Sequence, residues 1–455
     1  MTELKENKMG TMPVKSLILN MSLPMMASML VQALYNVVDS IFVAQISEKA
    51  LTAVTLAFPM QNLMTSVAAG TGVGINALLS RSLGERNYER SDKAANMAVF
   101  LSFINYIVFF LVDILAIRAY AASQTKNVLI FNYCVSYLNI VMSVSIGIFF
   151  EITFERLLQS TGRTILSMYS QILGALTNII LDPIMIFGLF GFPKLGVQGA
   201  AYATVIGQCL GAVLGLILNL KFNKEIHFSL KEMLTPDAEI IGKIYYVGVP
   251  SILMMSIGSV MTYLMNLILM TFSETATAVF GIYFKLQSFF FMPVFGLNNG
   301  VIPVLAFNYG AENKERIDNT IKFSLKLAFT FMVTGTLVFE FIPGLLLNMF
   351  NASGEMLSIG IPALRIIALS FPIASIGIVL GSVFQAFSKS FYSLFVSLGR
   401  QIIVLIPAAY LLSLTGRVNN VWWSFLIAEL FSLLLSVIFF RRLYRTDIKP
   451  LERES

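Results

Sequence analysis

The amino-acid sequence predicts an all-α integral membrane protein with 12 transmembrane helices in two parallel-repeat six-helix lobes around a central cavity. Three observations carry that expectation. Of 455 residues, 57% are hydrophobic and only 12% are charged, about half the charged share of a soluble domain. The chain divides into twelve apolar runs, each long enough to cross a hydrocarbon core of about 30 Å as a helix of about 20 residues. A polar segment after the second run also returns after the eighth, 226 positions later.

In chain order the runs cover residues 17–44, 53–79, 94–116, 128–150, 164–188, 197–220, 244–272, 277–306, 321–350, 357–386, 391–414 and 418–440, bounded by charge, Pro or Gly. Run 1 follows Lys5, Lys8 and Lys15 with no small-residue cleavage site, so it is read as a span and not a removable signal. Most of the 31 basic residues then fall on one side. The loops holding Arg81, Arg86, Arg90, Lys93, Arg156, Arg163, Lys224, Lys231, Lys314 and Arg316, and the tail with Arg441, Arg442, Arg445 and Arg453, share the side of the N-terminus. The opposite side has only Lys49, Arg118, Lys126, Lys194 and Arg417. The positive-inside rule therefore places both termini in the cytoplasm of a multi-pass protein of the cell inner (plasma) membrane. The expected organisation is a cytoplasmic segment 1–16, a lobe 17–220, a linker 221–243, a second lobe 244–440 and a basic tail 441–455.

Composition also excludes. A single histidine, His227, and two cysteines, Cys134 and Cys209, lie far apart in the sequence. Zinc clusters, haem attachment, a disulfide framework and Cys/His catalysis therefore lack their residues. The cysteines are read as packing. The net charge of +6 sits in short loops between apolar runs and forms no basic face for nucleic acid. No GxxxxGK[ST] segment is present for ATP. No cofactor is expected, and no enzyme activity.

The repeat is legible residue by residue. Residues 84–94 (GERNYERSDKA) match residues 310–320 (GAENKERIDNT), with Gly, Asn, Glu, Arg and Asp in register. At the same offset Pro24 falls on Pro250, Ser47-Glu48 on Ser273-Glu274, Gly70 on Gly296, Gly74 on Gly300 and Gln159 on Gln385. Six spans per unit is an even number, so the second copy enters the membrane in the same orientation as the first. That makes a parallel repeat about an axis along the membrane normal, with a cavity between the bundles.

An ionised carboxylate at the centre of a span costs about 2.5 to 3.5 kcal/mol, so each such residue is a functional candidate. In span 1, Gln32, Tyr35, Asn36 and Asp39 recur every three or four residues and share one helix stripe. Span 5 offers Asn178 and Asp182 one turn apart, followed by Pro183, which should bend the helix and free a carbonyl. Span 6 adds Thr204 and Gln208. Two carboxylates with amide and hydroxyl oxygens suit either H+ or Na+. Glu155 beside Arg156 reads equally as an interfacial ion pair or a functional acid, and Asp113, five residues before Arg118, reads as interfacial. Glu151, Glu340 and Glu429 either line the cavity or bond to neighbouring helices. Lys285 and Arg400 are candidates to hold the C-terminal half together, and Lys285 is also a candidate cavity or gating residue.

Several segments resemble the bacterial MATE (multidrug and toxic compound extrusion) family over nearly the whole chain. They are Ser22-Leu23-Pro24 at the entry to span 1, residues 35–39 (YNVVD), 70–74 (GTGVG), Leu83-Gly84, 178–183 (NIILDP), 199–204 (GAAYAT) and 308–311 (NYGA). The resemblance implies a V-shaped pair of six-helix lobes. It further implies antiport powered by H+ or Na+ and export of small amphipathic or cationic substrates. Its N-lobe cation site falls on Asp39, Asn178, Asp182 and Thr204. Gln32, Tyr35, Asn36, Glu155, Gln208 and Lys285 remain candidates for cavity or gating roles. Some relatives carry essential acids on helices 7 and 10, where this chain has no Asp or Glu. The chain is expected to act as a monomer within the lipid bilayer.

Rival readings keep or abandon the fold. A flippase or exporter of a lipid-linked or metabolite cargo would be expected to carry several cations along the cavity, and here only Lys285, Arg365 and Arg400 lie within spans. An intramembrane enzyme would need a nucleophile and base at depth. A passive channel would leave the duplication and the buried acids unused.

Overall fold

The computed structural model describes residues 7–350 and 352–452; Lys5 and Arg453, counted above among the basic residues, lie outside them. A short helix α1 (Lys8–Thr11) precedes the first unit, which comprises α2 (Val14–Ile46), α3 (Glu48–Gly84), α4 (Tyr88–Gln124), α5 (Val128–Ser143), α6 (Ile146–Ser160), α7 (Thr164–Phe187) and α8 (Val197–Phe222). After α9 (Leu230–Leu234) the second unit runs through α10 (Ala238–Met270), α11 (Glu274–Gly310), α12 (Lys314–Phe341), α13 (Pro343–Asn348), α14 (Gly354–Ala368), α15 (Phe371–Ala386), α16 (Ser390–Leu398), α17 (Ile406–Ser413), α18 (Val418–Val421) and α19 (Trp423–Leu443). Among the described residues, ten helical stretches are long and apolar enough to span a membrane, and α5–α6 and α14–α15 complete twelve as bent pairs.

Helices begin where capping chemistry dictates and extend past their apolar parts. Ser47 and Ser273, repeat equivalents, cap α3 and α11 by accepting from Ala50 N and Ala276 N. Asn87 and Asn313 do the same for α4 and α12 through Arg90 N and Arg316 N. Asp237 caps α10, so that helix starts within the stretch read above as linker, and α8 continues to Phe222. Hydropathy alone misses these turns because a capped helix continues into water.

Both bends fall at repeat-equivalent places. The α5–α6 pair turns by 46° at Val144-Ser145 and the α14–α15 pair by 48° at Leu369-Ser370. In the second, Pro372 supplies no N–H to the Ala368 carbonyl, which accepts instead from Thr336 Oγ1 at 2.8 Å. The first has no proline. Backbone turns repeat as well: Arg86 and Glu312 have φ of 57° and 56°, and Gly162 and Ser388 have 88° and 58°. A π-helical stretch, Gly399–Leu405, precedes Pro407, which cannot donate to the carbonyl four residues back.

The two units meet along α2 with α11 and α3 with α10. Closest approach clusters at the end carrying the Gly84–Asn87 and Gly310–Asn313 turns, here called the basic end. There a Cβ on Gly84 would overlap the Phe307 carbonyl and one on Gly310 the Arg81 carbonyl, while Gly74 abuts Ile244 and Gly300 abuts Met21. Gly84–Phe307 and Gly310–Arg81 are related by the repeat offset, and glycine lets α3 and α11 touch there backbone to backbone. Arg81 lies over the Tyr309 ring at 4.6 Å. Ser22 Oγ donates to Leu297 O at 3.3 Å, Asn62 to Ser259 at 2.9 Å and Tyr245 OH to Asn105 at 3.2 Å across the same seam.

Each unit's trailing segment folds back on its own basic end. Asp92 accepts from the His227 backbone N–H at 2.7 Å, and its repeat equivalent Asp318 accepts from Tyr444 OH at 3.1 Å. Arg163 pairs with Glu225 at 3.1 Å, and its equivalent Lys389 faces Asp447 at 3.9 Å. Burial pushes the Glu225 carboxyl up, partly offset by Arg163, Asn7 and Lys8.

Candidate functional site

The sequence-predicted cation residues converge. Asp39 lies two turns from the end of α2 remote from the basic end, Asp182 about a turn and a half from the same end of α7, and Thr204 two turns into α8. Helices α2 and α7 run in the same direction away from the basic end and α8 runs back against them, which brings these depths level. The carboxyl groups of Asp39 and Asp182 lie close enough to interact directly. Asp182 is fully buried, and Asn178 and Thr204 are nearly so. With its amide oxygen facing α8, Asn178 accepts from Thr204 N at 3.1 Å and Thr204 Oγ1 at 3.2 Å, while its nitrogen donates to Asp182 Oδ2 at 3.2 Å. Thr204 is thereby shared, since its hydroxyl also reaches the Ala200 carbonyl at 3.0 Å. Pro183 sits inside α7 without breaking it, and its missing N–H leaves the Ile179 carbonyl without its usual helical partner.

Asp39 Oδ1, Asp182 Oδ1 and Gln208 Oε1 are buried and have no hydrogen-bond partner. The carboxyl pair thus keeps two orphaned oxygens of its own, and Gln208 lies one turn beyond Thr204 on α8; oxygens of this kind are the chemistry that receives a proton or a small hard cation. Tyr35 of α2 and Tyr137 of α5 stand within electrostatic reach of both acids, and the Tyr137 hydroxyl accepts from Gln61 at 3.0 Å. Gln32 and Asn36, also on α2, are exposed although they lie inside an apolar span.

Helix α6 adds an acid that the sequence left undecided. The Glu151 carboxylate occupies the space that side chains at Gly174 of α7 and Gly211 of α8 would fill, and it lies within electrostatic reach of Tyr35. One turn on, Glu155 accepts from Gln171 at 2.6 Å. The spacing of Glu151 and Glu155 by four, facing glycines on two neighbouring spans, was the available signal.

Other expectations are corrected. Glu155 does not pair with Arg156: the guanidinium turns to Gln159 and, across the seam, to Asn299, both at 2.9 Å. Arg156 is buried in α6 and not in a loop, because its stem packs against Gly72, where a Cβ would collide with it. Asp113 is buried and accepts from Ser143 of α5 at 2.6 Å, while Arg118 is exposed. Arg400 does hold the C-terminal half, pairing with Glu429 at 2.8 Å. Lys285 is exposed on α11 and joins no ion pair among the described residues. Glu340 lies 3.9 Å from Arg365.

A duplicated set of membrane-spanning helices with a polar, acid-bearing site inside one unit defines a polytopic membrane transporter. A family model described as MatE matches residues 24–184 and 250–411, two copies whose starts are separated by the sequence repeat, and the chain belongs to this MATE family. It is 27% identical over 414 residues to multidrug export protein MepA of Staphylococcus haemolyticus (strain JCSC1435), covering 90% of each chain. Its fold matches a structure of the outward-facing conformation of a multidrug resistance MATE family transporter of the MOP superfamily, with TM-score 0.92, 25% identity and full coverage of both chains. A MATE in complex with MaL6 has the same fold, with TM-score 0.92, 24% identity and coverage of 99% of this chain and 100% of that one.

Proposed function

We propose that this chain is a secondary active multidrug exporter, moving small amphipathic and often cationic compounds out of the cell in exchange for H+ or Na+ by alternating access. The observation that carries the reading is the Asp39–Asp182 carboxyl pair, with its orphaned oxygens, inside one six-helix unit. Two adjacent carboxyl groups repel when both are ionised, and binding one proton or small cation relieves that repulsion. Taking up or losing one cation there changes how tightly α2 packs on α7 within the N-terminal lobe. Asn178 and Thr204 fix the acids in place. Gln32, Asn36, Tyr35, Glu155, Gln208 and Lys285 are assigned to the cavity wall or its gating.

Residues 17–220 and 244–440 act as the moving lobes. With both termini cytoplasmic, the basic end is the inner end, and its close packing, together with the match to an outward-facing relative, supports a state closed to the cytoplasm. The similarity to multidrug export protein MepA supports the direction of transport. Each charge moved down 100 mV releases about 2.3 kcal/mol, enough to drive a steep gradient of cargo.

The test is ethidium efflux from cells expressing wild type or Asp39→Asn, with proton and sodium gradients collapsed one at a time. Wild-type efflux should stop with one gradient, and the variant should reach the membrane yet not transport. A wild type that moves no dye under any gradient shifts the reading to a lipid-linked or metabolite cargo on the same fold. A fully active Asp39→Asn removes the ion site.

A further inference from the structure

The two units are near copies, and the N-terminal strap, residues 7–12, touches both. Met9 is fully buried. On the side of the first unit, the Asn7 amide donates to the Thr161 carbonyl at 3.1 Å and to Glu225 at 3.0 Å, while its oxygen caps α1. Lys8 donates to Asn20 of α2 at 2.5 Å. On the side of the second unit, the Met9 carbonyl accepts from Asn308 at 3.1 Å and from Arg316 at 2.8 Å, and the Met12 carbonyl accepts from Arg316 at 2.8 Å. Gly10 rests on the Phe307 ring.

The reason Arg316 is available lies in the repeat. Its equivalent in the first unit, Arg90, is held by Glu85 at 3.0 Å, and Glu85 also holds Arg81 at 2.7 Å. In the second unit the position of Glu85 is Ala311. With no carboxylate there, the Arg316 guanidinium donates to Asn308 at 3.0 Å and then to the strap. This loss of symmetry turns a local ion pair into a bridge between units.

We propose that residues 7–12 are a latch that holds the basic ends of the two units together and must release Arg316 and Asn308 before that end opens. The proposal rests on the alternating-access reading above. The strap is continuous with α2 and therefore travels with the first unit, so its contacts to Phe307, Asn308 and Arg316 are the ones that break. These break at the same place where Gly84 and Gly310 separate from their partners, so latch and seam open together.

The experiment places spin labels at Glu89→Cys and Glu315→Cys, repeat-equivalent exposed positions on α4 and α12, in a Cys134→Ala, Cys209→Ala background in lipid nanodiscs. Distances are read for the otherwise unaltered chain, for Arg316→Ala and for Ala311→Glu. The second variant keeps every strap residue and restores the carboxylate that occupies Arg90 in the first unit. Both are expected to raise the ratio of long to short distances about tenfold, the effect of losing one or two charge-assisted hydrogen bonds. Unchanged distributions in both variants, each eluting as a folded species, overturn the latch. Ethidium efflux by the unaltered chain is measured separately. Its absence counts against export, whereas a distance shift without efflux still supports the latch as a conformational device.

Discussion

At the scale of single residues, partnership separates functional from structural charge. Arg400 and Glu429 satisfy each other at 2.8 Å inside the second unit. Removing one leaves the other buried and unpaired, so Arg400→Ala should destabilise by about 3 kcal/mol, and Arg400→Leu with Glu429→Leu should recover most of it. Thermal unfolding in one detergent compares the three. Asp182 differs: it is fully buried, lacks a cationic partner among the described residues and retains an orphaned oxygen. Asp182→Asn should therefore unfold at a temperature equal to or above that of wild type while lowering ion-driven efflux about tenfold or more. A lowered unfolding temperature with intact transport would make Asp182 a structural residue.

At the scale of elements, the two bent spans show what proline does and does not decide. The 48° bend contains Pro372, and the 46° bend at the equivalent place contains no proline. Packing must therefore impose the bend in both, with Thr336 satisfying the carbonyl that Pro372 leaves open. Pro372→Ala should keep the bend, the transport rate and the stability within about 1 kcal/mol. A structure of the variant with a straightened α14–α15 would refute this. Helix starts are set by side chains outside the apolar runs: Ser47, Asn87, Asn127, Ser273 and Asn313 each accept from a backbone N–H of the first turn.

At the scale of the whole molecule, the seam depends on backbone touching backbone. Gly84 and Gly310 stand where any Cβ would overlap the other unit's main chain. Gly84→Val should hold the basic ends apart and shift the Glu89–Glu315 label distance to longer values, with efflux reduced about tenfold or more because one limb of the cycle is lost. Normal closure in this variant would mean that the seam yields more than close packing allows. Gly74, against Ile244, should behave alike.

The sequence by itself determined the class, the number of spans and the duplication. These rest on composition, on run length and on a register of identical residues, all of which are linear properties of the chain. It also selected Asp39, Asn178, Asp182 and Thr204, because a polar side chain in an apolar helix is costly wherever it points. Only the tertiary structure decided which of those costs are offset by a neighbour. Asp113 found Ser143, Arg156 left Glu155 for Asn299, and Glu151 filled the space beside Gly174 and Gly211. The substitution of Ala311 for the equivalent of Glu85 was readable in the aligned loops, yet its consequence, Arg316 reaching the N-terminal strap, depends on groups some 300 residues apart. Local pattern fixes what a residue costs to bury; the partner that meets the cost is set by how helices pack.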